Sequence, residues 1–185
     1  TSQARTAAVT LITPTVDCQL EHCRLRGPEM IAIRPERADD VVAIRAIHEA
    51  AFSTEAEAKL VDLLRGNGHA AISLVAEDDG VIEGHVLFSP VAIDGDFGAG
   101  GLGLAPVAVA PQQQGRGLGT RLIEAGLSEC RRQQVPFVVV LGAPEFYQRF
   151  GFRRASDFVL RNVYGVDAEF MVLPLCNDAL PQSGG

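Results

Sequence analysis

Gln114-Gly115-Arg116-Gly117-Leu118-Gly119-Thr120 is a glycine-dense turn between the apolar run Leu102–Val109 and a helix-patterned stretch over residues 118–133. Strand, glycine turn and helix follow in the order that an anion site requires. The first N–H groups of a helix lack partners and carry the positive end of its macrodipole, so they attract phosphate. Glycines let the loop backbone curl around that phosphate without Cβ clashes. Arg116 and Arg121 add positive charge of a geometry suited to phosphate oxygens. The turn therefore reads as a pyrophosphate cradle. An ordinary helix start is the alternative, but Gly115, Gly117 and Gly119 cost about 1 kcal/mol each where they enter a helix, which packing alone does not justify.

Missing residues narrow the type of cradle. A Walker A loop needs Gly-x-x-x-x-Gly-Lys-Ser/Thr, and no Lys stands near this turn, which argues against ATP or GTP hydrolysis. A Gly-x-Gly-x-x-Gly string at Gly98, Gly100 and Gly103 precedes a strand instead of following one, so it is no dinucleotide fingerprint. What remains is Gln-x-x-Gly-x-Gly, read as Gln114, Gly117 and Gly119, directly after Val107-Ala108-Val109-Ala110-Pro111. Here the sequence resembles the GCN5-related N-acetyltransferases. The resemblance implies that Val107, Ala108 and Val109 with Gln114, Gly115, Arg116, Gly117, Leu118, Gly119 and Thr120 bind the pantetheine arm and pyrophosphate of acetyl-CoA.

Composition bounds the rest. With 185 residues the chain holds one well-buried domain, and 47% hydrophobic with 21% charged residues is globular in composition. A net charge of −7 argues against binding to nucleic acid or to an anionic membrane surface. No apolar run approaches the roughly 18 residues of a membrane helix and no signal-peptide pattern is evident, so a cytoplasmic setting is expected. Cys18, Cys23, Cys130 and Cys176 show neither Cys-x-x-Cys spacing nor disulfide-scaffold density, and His22 beside two of them falls short of the four ligands of a zinc site; no metal is expected. Residues 1–29 lack a sustained period and read as a poorly structured extension or a remnant of cloning, residues 30–176 as the acetyltransferase domain, and residues 177–185 as a tail.

Met30-Ile31-Ala32-Ile33-Arg34 opens the domain as an alternating strand. Asp39 or Asp40 then caps a helix with Val41, Ile44, Ile47 and Ala51 on one face. A second helix, capped by Ser53 or Thr54 and running to about Arg65, is expected to turn Leu60, Leu63 and Leu64 inward before stopping at Gly66-Asn67-Gly68. Strands over 71–77 and 81–93, joined by the tight turn Asp78-Asp79-Gly80, lead through Asp94-Gly95-Asp96 into Leu102–Val109 as an antiparallel meander. Pro106 cannot donate to a ladder, so it belongs at an edge or bulge, freeing Val107 and Val109 to pair with an extended ligand. The next helix buries Leu118, Leu122, Ala125 and Cys130, flanked by Ile123 and Leu127. Residues 135–141 read as a strand buried on both faces, parallel to Leu102–Val109 by the crossover rule.

Ala143-Pro144-Glu145-Phe146-Tyr147-Gln148-Arg149-Phe150-Gly151-Phe152 suits a short helix with Pro early and Gly late. It resembles the acetyltransferase helix whose Tyr precedes Gly-Phe, which makes Tyr147 that residue. Residues 158–162 and 170–175 are expected to close the sheet as an antiparallel pair. The fold implied is α/β (α+β): a mixed, mostly antiparallel central sheet with one parallel central pair, flanked by helices.

Acetyl transfer to an amine needs a proton acceptor, N–H donors for an oxyanion and a proton donor for the leaving thiolate. Tyr147 fits the last role, because a phenol of ordinary pKa stays protonated at neutral pH. The oxyanion donor implied by the resemblance is a backbone N–H near residues 106–109. Glu83, His85 or a water relay are the candidates for the base; a lone His amid Val, Leu and Phe is more often structural, and Glu83 is expected to face solvent, so the base is left unassigned. Arg153 and Arg154 read as a solvated face. The resemblance sets the acceptor pocket between residues 52–65 and 164–170 and leaves the amine unspecified. A non-catalytic acyl-CoA-binding domain and a homodimeric interaction module are the alternatives.

Overall fold

The computed structural model describes residues 31–91, 100–176 and 179–180. Met30, the Asp94-Gly95-Asp96 turn, the 1–29 extension and most of the tail lie outside the described residues. One seven-stranded sheet organises the chain, in the order β1-β2-β3-β4-β5-β7-β6. Its strands are β1 (Ala32–Pro35), β2 (Ile72–Asp78), β3 (Val81–Pro90), β4 (Leu102–Val109), β5 (Phe137–Leu141), β6 (Arg153–Arg154) and β7 (Phe170–Pro174). The helices are α1 (Val41–Ala51), α2 (Ala56–Gly66), α3 (Leu118–Arg132) and the short α4 (Pro144–Tyr147).

The expected meander is present: β1, β2, β3 and β4 pair antiparallel in succession. Asp79 and Gly80 both adopt positive φ, which a two-residue hairpin turn demands. The chain then crosses through α3 to β5, which runs parallel to β4. Alternation puts Leu74, Val86, Phe88, Leu104 and Val138 on the face covered by α3, whose Leu122, Ile123, Leu127 and Cys130 complete the main core. Gly126 also belongs to that buried stripe: a Cβ there would stand 2.2 Å from Phe88 Cε2, so the ring lies directly on the helix backbone. Ala125 is only half-buried. On the other face Val75 and Leu87 meet Ile44 of α1 and Val61 of α2.

Two expectations fail. Leu60 and Leu63 of α2 are exposed, and Ala58 and Val61 are the buried residues. The small Ala58 lets α2 lie close, which the bulk of the leucines obscured. The closing pair is β7 with Arg153–Arg154, not with residues 158–162. Residues 155–158 form a 3-10 turn, and Val159 takes a left-handed conformation, which ends any extended run there. Arg153 lies over the Phe158 ring and Arg154 stands 3.9 Å from Asp167, both exposed on the edge strand.

Candidate active site

Pro106 sits at a bulge, as the sequence requires. The β3–β4 register passes from Val86↔Val107 to Phe88↔Leu104, so Ala105 and Pro106 together oppose Leu87. The extra residue explains why Leu102 and Leu104 share the α3 face with Val107 and Val109, although their parities differ. Ala110 N–H donates to the Glu83 carbonyl at 2.9 Å. By the alternation of an antiparallel ladder, the amides of Val107 and Val109 therefore point away from β3. On that other side β5 pairs only with Leu102 and Gly103. Beyond Gly103 the two parallel strands part, leaving a cleft edged by main-chain groups.

The glycine turn closes one end of this cleft. Gly115 and Gly117 take φ of +76° and +81°, the left-handed region open to glycine, and a Cβ at either would meet nothing within 4 Å. The constraint is conformational, and the space above them is free. Arg121 N–H donates to the Gly117 carbonyl at 3.1 Å, so Leu118, Gly119 and Thr120 present the unsatisfied amides of a 15-residue helix that no side chain caps. Gln114 Nε2 donates to the Val109 carbonyl at 3.0 Å, locking the turn to the end of β4. Arg116 donates to Gln113 Oε1. Arg121 is not aimed at the cradle as expected: it donates to the Ile31 carbonyl at 2.7 Å and ties α3 to the residue just before β1. The amides, space and curvature together fit a pyrophosphate.

At the end of β5, Tyr147 packs on Gly142 and among Phe146, Phe150 and Phe152. Burial pushes its phenol pKa up, which keeps the proton on the oxygen. Among the described residues its Oη makes no hydrogen bond, so the proton is available. Arg149 lies 4.6 Å above the Phe146 ring and braces this aromatic group.

His85 is not a lone histidine. It is fully buried, its Nε2 lies 2.8 Å from Ser73 Oγ and its Nδ1 lies 2.8 Å from Nε2 of His48, also fully buried. Ser73 Oγ donates to Glu36, whose other oxygen accepts from Arg65 Nε at 2.6 Å. A carboxylate only accepts, so Ser73 has spent its proton and must accept from His85 Nε2–H; His85 Nδ1 then accepts from His48 Nε2–H. The chain fixes both neutral tautomers and leaves His48 Nδ1 buried without a partner. Burial pushes the His48 pKa down to about 3, reinforced by His85 and Arg65. His85 is shifted down by burial against the opposing pull of Glu36. Burial alone would raise Glu36, yet its contacts with His85, Arg65 and Ser73 hold it at about 2. His85 thus has no exposed surface, and both of its ring nitrogens are engaged. Nothing in the sequence announced its partner on α1, because His48 is 37 residues away. Glu83 is half-buried on the same strand.

A cavity of about 680 Å³ opens on the sheet face opposite α3, between Gly103–Ala105, residues 139–141 and the loop from Val159 to Tyr164. It lies at the point where β4 and β5 part. Tyr164 and Phe170 line it, and residues 52–65 do not.

Such a cradle, following directly on an open strand edge, suits a long phosphorylated carrier with an extended arm, the design of acyl-CoA-using transferases. Known proteins agree. A family model described as an acetyltransferase (GNAT) domain matches residues 32–155. An uncharacterized N-acetyltransferase of Escherichia coli K12, YhbS, is 40% identical over 150 residues, covering 80% of this chain and 89% of YhbS. The crystal structure of E. coli YhbS in complex with CoA superposes with a TM-score of 0.78 at 38% identity, covering 84% of this chain and 87% of that one. A GNAT family acetyltransferase from Brucella melitensis in complex with acetyl-CoA gives a TM-score of 0.69 at 37% identity, covering 84% and 95%. The chain belongs to the GNAT acetyltransferase family.

Proposed function

We propose that the chain transfers acetyl from acetyl-CoA to a primary amine by direct attack, with Tyr147 as the acid that protonates the leaving sulfur. In this reaction an N–C bond forms as the C–S bond breaks; the amine loses a proton and the sulfur gains one. Leu118, Gly119 and Thr120 amides hold the pyrophosphate, with Gly115 and Gly117 supplying the curvature, Gln114 fixing the turn and Arg116 adding charge. Val107, Ala108 and Val109 give the strand edge for the pantetheine arm, and the Val107 N–H is the donor for the developing oxyanion. The observation that carries the reading is the pair of amides on β4 that point away from β3, on a strand that leads directly into the uncapped N-terminus of α3.

A cytoplasmic setting fits the free thiol of Cys130, which burial pushes up to about 12 and keeps inert. Calorimetric titration with acetyl-CoA, CoA and ATP tests the cradle. Binding of both CoA forms without ATP is expected; a folded protein that binds neither CoA form overturns the reading.

A further inference from the structure

Resting on that reading, we propose that the acceptor is a small amine with an apolar body and one carboxylate, of the kind of an apolar amino acid, and that Arg161 receives the carboxylate. The cavity at the parting of β4 and β5 is built mainly of apolar side chains, among them Val139, Val159 and Phe170. Arg161 is the one charged residue among the described residues that line it. By contrast, Arg45 pairs with Asp62 at 2.5 Å, and Arg132 pairs with Glu129. Arg161 makes no ion pair or hydrogen bond among the described residues, although the chain carries a net charge of −7 that offers many partners.

The loop that carries it is held in place. Asn162 Oδ1 accepts from the amides of Tyr164 at 2.9 Å and Val166 at 3.4 Å, while its Nδ2 donates to the Val166 carbonyl at 2.5 Å. This bracing keeps Tyr164 and Val163, 73% and 93% exposed, in the open beside the cavity, where a solvent-facing loop would ordinarily carry polar residues.

Physical chemistry then selects the substrate. An apolar wall and a guanidinium both disfavour an ammonium ion, so the attacking nitrogen enters in its uncharged, nucleophilic form. Polycationic acceptors lose on the same grounds. A carboxylate gains a charge-assisted, planar match to Arg161, while the apolar body fills the wall.

Acetyl transfer from acetyl-CoA to phenylalanine, phenylalanine amide and spermidine, followed by thiol release, tests this. Phenylalanine is expected to be used at least about tenfold better in kcat/KM than its amide, a factor that one charge-assisted hydrogen bond supplies. Spermidine should be poorer still. In Arg161→Glu, an exposed position where folding is not at risk, the preference for phenylalanine over its amide should vanish through KM. Equal use of acid and amide, preference for spermidine, an unchanged ratio in the variant, or no turnover of phenylalanine overturns the inference. Acetyl-CoA titration of the same sample separates the causes: binding without this selectivity removes only the acceptor assignment, and absence of binding removes the enzyme reading with it.

Discussion

Tyr147 turns the Cε2 edge of its ring onto residue 142, so close that a Cβ on Gly142 would stand 2.4 Å from Tyr147 Cε2. The glycine is not there for a turn conformation, since its φ is not in the left-handed region. It is there because the phenol occupies the space of a side chain. Gly142→Ala should therefore swing Tyr147 out of position, lowering kcat by about tenfold or more while leaving acetyl-CoA affinity near its original value. Steady-state kinetics beside calorimetry reads both quantities; an unchanged kcat would mean the ring tolerates displacement and does no chemistry.

Tyr147→Phe keeps the packing among Phe146, Phe150 and Phe152 and removes only the proton. Turnover should fall with little change in acetyl-CoA affinity, because an acid acts in the transition state. Equal turnover would return Tyr147 to a packing role.

At the cradle, Gly117→Glu brings a bulky anion to a position of φ +81° facing open space. It pays twice, in backbone strain and in repulsion of phosphate, and CoA binding should weaken by about tenfold or more. Titration of a variant with native circular dichroism is the check, and unchanged affinity would remove the cradle assignment.

Acid stability follows from the buried network. His48 is neutral in the fold, with a pKa near 3 against an ordinary 6.5. On acidification the unfolded chain takes up a proton near pH 6.5 that the fold refuses, so stability is full above that pH and declines down to about pH 3. The slope is about 1.4 kcal/mol per pH unit for each such histidine, and His85 adds in the same direction. Glu36, held near 2, contributes stability present above 4.5 and lost between 4.5 and 2. Denaturant titrations from pH 7.5 to 5 should show the decline beginning below 6.5. In His48→Leu with His85→Leu that part of the slope should flatten; an identical slope would place the loss elsewhere.

Gly126→Ala puts a methyl against the buried Phe88 ring, and overpacking there should cost about 1–3 kcal/mol, visible as a lower thermal midpoint. A midpoint equal to that of the parent would show that the ring can shift freely.

What the sequence by itself determined is local in origin. The glycine turn, the Pro106 bulge, the Pro144-to-Gly151 turn and the alternating strands each rest on φ preferences, missing N–H groups or side-chain period, all of which act within a few residues. The family resemblance was legible for the same reason, since its two motifs are short and contiguous. Tertiary structure alone decided three things. It chose Val61 over Leu60 and Leu63 as the buried side of α2, because the fit to Val75 and Leu87 outweighs single-residue hydrophobicity. It linked His85 to His48 on one side and through Ser73 to Glu36 on the other, all far apart in the chain, turning an isolated imidazole into an inner link of a hydrogen-bonded row. And it opened the cavity by letting β4 and β5 part beyond Gly103, which no stretch of either strand encodes alone.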